Sequence, residues 1–389
     1  MLKNIVNFKK TNIGLALTIT LSLSACGGGG SSSSVKILKG VFKDSNVAGL
    51  SYVSGKQKGV TEKNGGFKYE ENNTVAFSIG KVPLGSGAGK AIMTPLDLVV
   101  DGKLNSAEVI NRARFLMMLD KDNNVSNGIE ISSQVLTKAK SWAPINFAST
   151  SFPTQTVFKY LVDASVADSI SHAIPSAETA TKHLRTTLLC ANSGAYVGNY
   201  TGDESGNIAL ILDPVTGEVK GASYNPDNQV SVEVKSTSPI EYDTDLSFIS
   251  AEDSAKKFTG KFTSTESLEG SWFDVSQPLR KGNFTAERII DSGDTVYRYT
   301  VSYIGGDKGL FAFNVDRNNK ITGSAYSVIK QDKTTLTGTL KGKNFSVRTS
   351  NGTAVNGILN TETQALTGVW SNVSALQTGT FSGGGCRLN

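Results

Sequence analysis

The chain has 389 residues, with 39 Lys and Arg against 34 Asp and Glu and a formal net charge of +5. Lys3, Lys9 and Lys10 supply three of those charges before any acid occurs, and without them the balance is +2, too small to mark a nucleic-acid-binding surface. Beyond residue 26 no run of 18 apolar residues occurs, so no membrane-spanning helix is predicted there.

The chain opens MLKNIVNFKK, then runs from Ile13 to Ala25 with apolar and small residues only. A basic stretch, a short apolar stretch and a small residue before the cut predict a secretory signal over residues 1–25. Leu23-Ser24-Ala25-Cys26 resembles a bacterial lipobox. That resemblance implies a diacylglycerol on the Cys26 thiol, cleavage before Cys26 and acylation of the new amine. Gly27 follows, where an Asp would favour retention in the inner membrane, so the resemblance implies an outer-membrane lipoprotein, facing the surface or the periplasm. Residues 26–34 are then the anchor and a Gly/Ser tether with a reach of roughly 15 Å.

Residues 35–132 alternate apolar and polar residues between turn signals, which predicts a β-sandwich-like module. Asn64-Gly65-Gly66 is a tight-turn signal, because these residues tolerate positive φ. The run from Gly49 to Phe67, with Tyr52 on a strand and Thr61-Glu62-Lys63-Asn64-Gly65-Gly66-Phe67 as a hairpin, resembles transthyretin-like and Cna-B-like modules of bacterial surface proteins. There Glu62 stands where Asp is usual. Pro83–Ala91, PLGSGAGKA, has a glycine spacing too short for a phosphate loop and Ala91 in place of the hydroxyl residue, so it reads as a glycine-rich hairpin.

Asp120, Asp122 and Asn124 follow a predicted helix at the alternating spacing of a calcium loop. Val125 and Ile131 stand where an EF-hand needs Gly and Glu, leaving a partial calcium loop or a helix-ending Asx turn as the two readings. Residues 133–190 predict a helical bridge. Val157, Phe158, Leu161, Val162, Val166 and Ile170 recur at helical spacing. Ser176 is a predicted N-cap with Glu178 in the first turn, and Ala177, Ala180, Leu184 and Leu188 form the apolar face.

The rest of the chain contains a repeat. Trp272, Val275 and Phe284 match Trp370, Val373 and Phe381, and Ala209, Asp213, Gly221 and Tyr224 match Ala312, Asp316, Gly323 and Tyr326. Each copy, 191–290 and 291–389, predicts about eight short strands joined by tight turns, hence tandem eight-stranded antiparallel meanders able to close into barrels. The G-x-W…G-x-F pattern resembles avidin-like and transferrin-binding-protein-like lipoprotein barrels, with no ligand residues carried over. Trp272 and Trp370 sit between glycines in strands and read as core. The fold class is therefore mainly β with a helical segment.

With Cys26 assigned to lipid, Cys190 and Cys386 remain, and in an exported protein such a pair predicts a disulfide. His172 and His183, the only histidines, lie eleven apart without an evident carboxylate cluster and read as exposed or capping residues. No nucleophile elbow or paired catalytic carboxylates stand out, and no cofactor beyond the calcium candidate is indicated. The expectation is a non-enzymatic surface lipoprotein for binding, adhesion or scaffolding. It would hold outer-membrane lipid through its acyl anchor and an unidentified protein or small-molecule partner, with no nucleic acid. The alternatives are a receptor for a small ligand, haem, an iron source or a host protein, and a surface hydrolase.

Overall fold

The structure, a computed structural model, describes residues 35–240, 246–250, 255–263, 267–289 and 296–388. The signal, Cys26 and the tether lie outside the described residues. The base is built from β1 (Ile37–Phe42), β2 (Val47–Ala48), β3 (Ser51–Ser54), β4 (Gln57–Val60), β5 (Gly66–Glu70), β6 (Thr74–Ile79), β7 (Val82–Ala88), β8 (Ile92–Met93) and β9 (Ile129–Glu130). It also holds α1 (Ala107–Met118), α2 (Ser133–Ala139), α3 (Gln155–Asp168) and α4 (Ala177–Asn192). Strands pair in the orders β5-β1-β8 and β4-β3-β6-β7, with β2 on β9.

The Asn64-Gly65 turn departs from the hairpin expected there. β4 and β5 flank it but belong to different sheets. Thr61 redirects the chain: its buried hydroxyl accepts from Leu50 N at 3.0 Å and donates to Val47 O at 2.7 Å. Gly65, at φ +79°, then passes so close to Phe42 that a Cβ would lie 2.5 Å from its carbonyl oxygen. The turn thus carries the chain from one sheet to the other. PLGSGAGKA does not form the glycine-rich hairpin expected; it falls largely on β7, whose pairing with β6 shifts register beside Gly85, at φ +123°.

One apolar core runs from Phe42 to Leu188, so the helices share it with both sheets. Ser176 caps α4 by accepting from Thr179 N, and Ala180, Leu184 and Leu188 are buried, whereas Ala177 is exposed. The expected apolar face of α3 is only partly right. Val157, Tyr160 and Ala164 are buried, while Phe158, Val162 and Val166 are 51%, 61% and 66% exposed. The apolar residues of α3 spread over more than one face, and the Tyr160 ring, stacked on Trp142 at 4.3 Å, settles which face turns inward.

Two closed barrels follow. The first comprises β10 (Gly194–Gly202), β11 (Gly206–Leu212), β12 (Val219–Asn225), β13 (Val230–Ser236), β14 (Leu246–Ser250), β15 (Lys256–Phe262), β16 (Ser267–Asp274) and β17 (Lys281–Arg288). The second comprises β18 (Tyr297–Gly305), β19 (Gly309–Val315), β20 (Lys320–Ser327), β21 (Asp332–Lys341), β22 (Asn344–Thr349), β23 (Ala354–Leu359), β24 (Ala365–Asn372) and β25 (Gln377–Arg387). Every neighbouring pair is antiparallel, and β10–β17 and β18–β25 close the rings.

The barrels share one register. Tyr200 pairs with Phe284 as Tyr303 pairs with Phe381. Phe248 pairs with Phe258 and Phe258 with Trp272, as Val347 pairs with Val355 and Val355 with Trp370. The G-x-W…G-x-F pattern has a mechanical reason. Trp272 lies opposite Gly282 and Phe284 opposite Gly270, so each aromatic ring covers the glycine of the facing strand. A Cβ on Gly282 would stand 2.6 Å from the Trp272 indole nitrogen, and one on Gly270 2.6 Å from the Phe284 ring. The gap lets the indole reach past its neighbour to donate to Thr201 O at 3.0 Å. Trp370, over Gly379, does the same to Ile304 O at 3.1 Å. Both tryptophans are buried, as expected of core residues.

Alternation predicts one buried and one exposed face on a barrel strand, yet every residue of β11 and β19 is buried. Inward residues fill each lumen. Outward ones, Ala209, Ile211, Leu310 and Ala312, join Ala195 and Ala222 in a seam between the barrels. The small side chains allow the strands to approach closely. The copies are therefore separate rings joined by a common outer core. Cys190 in the last turn of α4 and Cys386 on β25 lie at disulfide distance, 2.12 Å between sulfurs, tying the base to the last strand.

Candidate functional site

Equal register makes the two barrels comparable residue by residue, and their mouths differ. In the first, Lys256 at the start of β15 lies with its ammonium 5.6 Å from the Tyr200 ring centre and 5.9 Å from that of Trp272. Its charge is paired with Glu204, in the β10–β11 turn, and Glu204 also holds Arg280. Beneath, Phe248 and Phe258 stack at 4.9 Å. This mouth is closed by three charged side chains over a filled aromatic lumen.

The register places Thr353 where Lys256 stands, since Lys256 pairs with Asp274 and Thr353 accepts from the matching Asn372 at 2.9 Å. Asp307, two residues before Gly309, takes the place of Glu204, two before Gly206, and Gln377 takes that of Arg280. Val347 and Val355 replace the stacked phenylalanines. Each exchange shortens or neutralises a side chain. Phe311, in place of Ile208, and Leu336, in place of Val234, return some bulk.

The result is a cavity of about 50 Å³ with Tyr303, Phe311 and Trp370 on its walls and Asp307, Thr353 and Gln377 among its polar lining. That holds about four water-sized groups, hence a compact ligand or the end group of a larger one. Tyr303 and Trp370 meet edge to face at 5.5 Å, as Tyr200 and Trp272 do at 5.8 Å. Burial first, and Asp307 second, push the Tyr303 hydroxyl above its ordinary range, so it stays a neutral donor, to Tyr326 O. Asp307 accepts from Ser327 Oγ and Lys308 N, each at 2.8 Å. The half-exposed Lys330 stands 3.8 Å away, beyond hydrogen-bond reach.

A larger cavity of about 430 Å³ lies where the base meets the second barrel, beside Cys190 and Cys386. Its buried ammonium, Lys43, donates to Asn46 Oδ1 at 2.6 Å and Leu388 O at 2.8 Å. Burial lowers this lysine to about 8. The cation serves the seam between structural elements.

The calcium candidates are engaged within their own loop. Asp120 accepts from Glu130 N, Asp122 from Asn124 N and Asn127 Nδ2, and Asn124 from Ser126 Oγ. Burial pushes the Asp120 carboxyl up to about 6. Among the described residues, no three His, Cys, Asp or Glu side chains are grouped to hold a metal ion. Both histidines depart from expectation, for each meets a carboxylate. His172 Nε2 lies 3.0 Å from Asp168, inside the base, and His183 Nε2 lies 3.3 Å from the fully buried Asp44. The chain reverses just after α3, at Ser169 (φ +56°), and so returns His172 to Asp168, whereas Asp44 arrives from a distant strand end. Among the described residues, neither imidazole hydrogen-bonds a serine or cysteine side chain.

Glu204, Lys256, Arg280, Asp307 and Thr353 belong to no motif of the linear sequence, and identities between the repeats do not mark them. The signal was in the differences at matched positions.

No protein-family profile matches the chain, and no curated protein does. Among solved structures, a protein of unknown function from the DUF3598 family of Nostoc punctiforme is 10% identical, covers 52% of this chain and 98% of its own, and superposes with a TM-score of 0.17. A likeness that low carries no argument about the site.

Proposed function

We propose that this chain is a lipid-anchored outer-membrane binding protein that takes a compact polar ligand, or the end group of a larger one, at the mouth of its second barrel. The observation carrying this reading is the contrast between two barrels of one register, one closed by Lys256, Glu204 and Arg280, the other lacking that plug. A purely structural pair of barrels has no need of an open aromatic mouth in one copy, so receptor leads over scaffold. The first barrel then serves as the supporting copy. Leu23-Ser24-Ala25-Cys26 supports the anchor.

The test uses the three tryptophans. Full chain carrying ¹⁵N-labelled indoles is titrated with a library of small polar metabolites. A ligand at this mouth shifts the Trp370 indole signal and leaves Trp272 and Trp142 in place. A library in which no compound shifts Trp370 would count against the reading.

A further inference from the structure

We infer that the group bound at the second mouth is a primary ammonium, an inference that rests on the binding reading above. The first barrel displays the bound state with its own side chain as ligand. There an ammonium, that of Lys256, sits against an edge-to-face Tyr–Trp pair and is neutralised by one carboxylate. The second barrel keeps every receiving element and has Thr353, not a cation, at the Lys256 position; the cation at its mouth, Lys330, stands 3.8 Å from Asp307. Tyr303 and Trp370 hold the same ring geometry, and Asp307 keeps the carboxylate, with its residue only 8% exposed.

An ammonium fits this setting for physical reasons. Ring faces attract cations most strongly where water is scarce. A buried carboxylate is costly unless paired, and Asp307 receives one hydroxyl and one backbone N–H, with capacity left for a further donor. The charges lining the cavity are Asp307 and Asp332 against Lys330, a net of minus one. The exchange of Arg280 for Gln377 removes the cation that would repel an incoming one. Lys330 is the chain's own competitor. Its ammonium stays 45% exposed and outside hydrogen-bond reach of Asp307, so a better-placed ammonium displaces nothing tightly held.

The ammonium can arrive on a small amine or on a lysine side chain of a polypeptide. Full chain with ¹⁵N-labelled indoles is titrated at neutral pH with n-pentylamine, with Nα-acetyl-lysine methylamide and with n-pentanol as the uncharged match. Both amines are expected to shift Trp370 saturably while n-pentanol does not. A shift from the lysine derivative alone would support the inference and assign a polypeptide source. Thr353→Lys, which restores the plug of the first barrel, should abolish the shift. Asp307→Asn should weaken binding by about tenfold or more. Unmoved Trp272 and Trp142 signals certify that both variants are folded. The inference is overturned if n-pentanol shifts Trp370 as the amines do, or if the amines bind equally to Thr353→Lys. If the amines leave Trp370 unmoved while a neutral library compound moves it, the ammonium inference falls and the binding reading stands. If nothing moves it, both fall.

Discussion

Thr353 occupies in the second barrel the register position that Lys256 occupies in the first. A four-carbon ammonium stem in the first barrel is exchanged for a hydroxyl at the equivalent position of the second. The neighbours, Tyr and Trp, are unchanged, so the exchange, together with those of Glu204 for Asp307 and Arg280 for Gln377, distinguishes the closed mouth from the open one.

Removing the plug should therefore open the first barrel. Lys256→Thr loses an ion pair and two ring contacts at a site whose side chain is 19% exposed. A cost of about 1–2 kcal/mol is expected. Urea unfolding measures it, and Trp272 fluorescence should shift to the red as water enters. Unchanged emission together with an unchanged midpoint would contradict the plug.

The tryptophans test the lumens. Trp272→Ala or Trp370→Ala removes a buried ring and leaves Thr201 O or Ile304 O without its donor, at about 3–5 kcal/mol each. Because Ala209 and Ala312 lie in a shared seam, either loss should also shift amide signals along that seam in the other barrel. Seam signals of the intact barrel that match wild type would show the rings to be uncoupled.

The Cys190–Cys386 link spans 196 positions. In the chain-entropy account, opening so long a loop costs about 5 kcal/mol at most. Cys190→Ala with Cys386→Ala should lower the urea midpoint to match the disulfide-reduced wild type. Agreement of both with the oxidised wild type would remove the stabilising role.

Acidity supplies a further test. Burial pushes Asp44 up from 3.8 to about 6, with His183 acting the other way. Between these values the folded chain keeps a proton that the unfolded chain has released. Stability contributed by Asp44 is thus present below 3.8, falls as pH rises to about 6, and stays lost above. The span is worth up to about 3 kcal/mol. Asp120, also raised by burial, adds a slope of the same sign. Asp44→Asn should flatten the fall in melting temperature between pH 4 and 7 without abolishing it. A profile as steep as wild type would rule out Asp44 as a source.

The anchor is tested at Cys26. Metabolic labelling with a clickable fatty acid should mark wild type, and Cys26→Ala should carry no label and leave the membrane fraction. Equal label on the variant would remove the lipoprotein reading.

The sequence by itself determined the elements and the duplication. Glycine and aromatic residues two apart on facing strands leave one register that closes without clashes, and Trp272 and Trp370 announce it in linear spacing. Ser176 and Glu178 likewise mark the start of α4, because capping is a contact between near neighbours. Tertiary structure alone decided what depends on distant residues meeting. The sheet change at Thr61 needs the backbone of Val47 and Leu50. The inward face of α3 waits on Trp142, and His183 finds Asp44 only after the base has folded. The same holds for the two mouths. Glu204, Lys256 and Arg280 lie in three separate strands or turns, and whether they close a barrel depends on which faces the closed ring turns inward. A charge on one strand carries no mark of the carboxylate or ring that it will meet across the lumen.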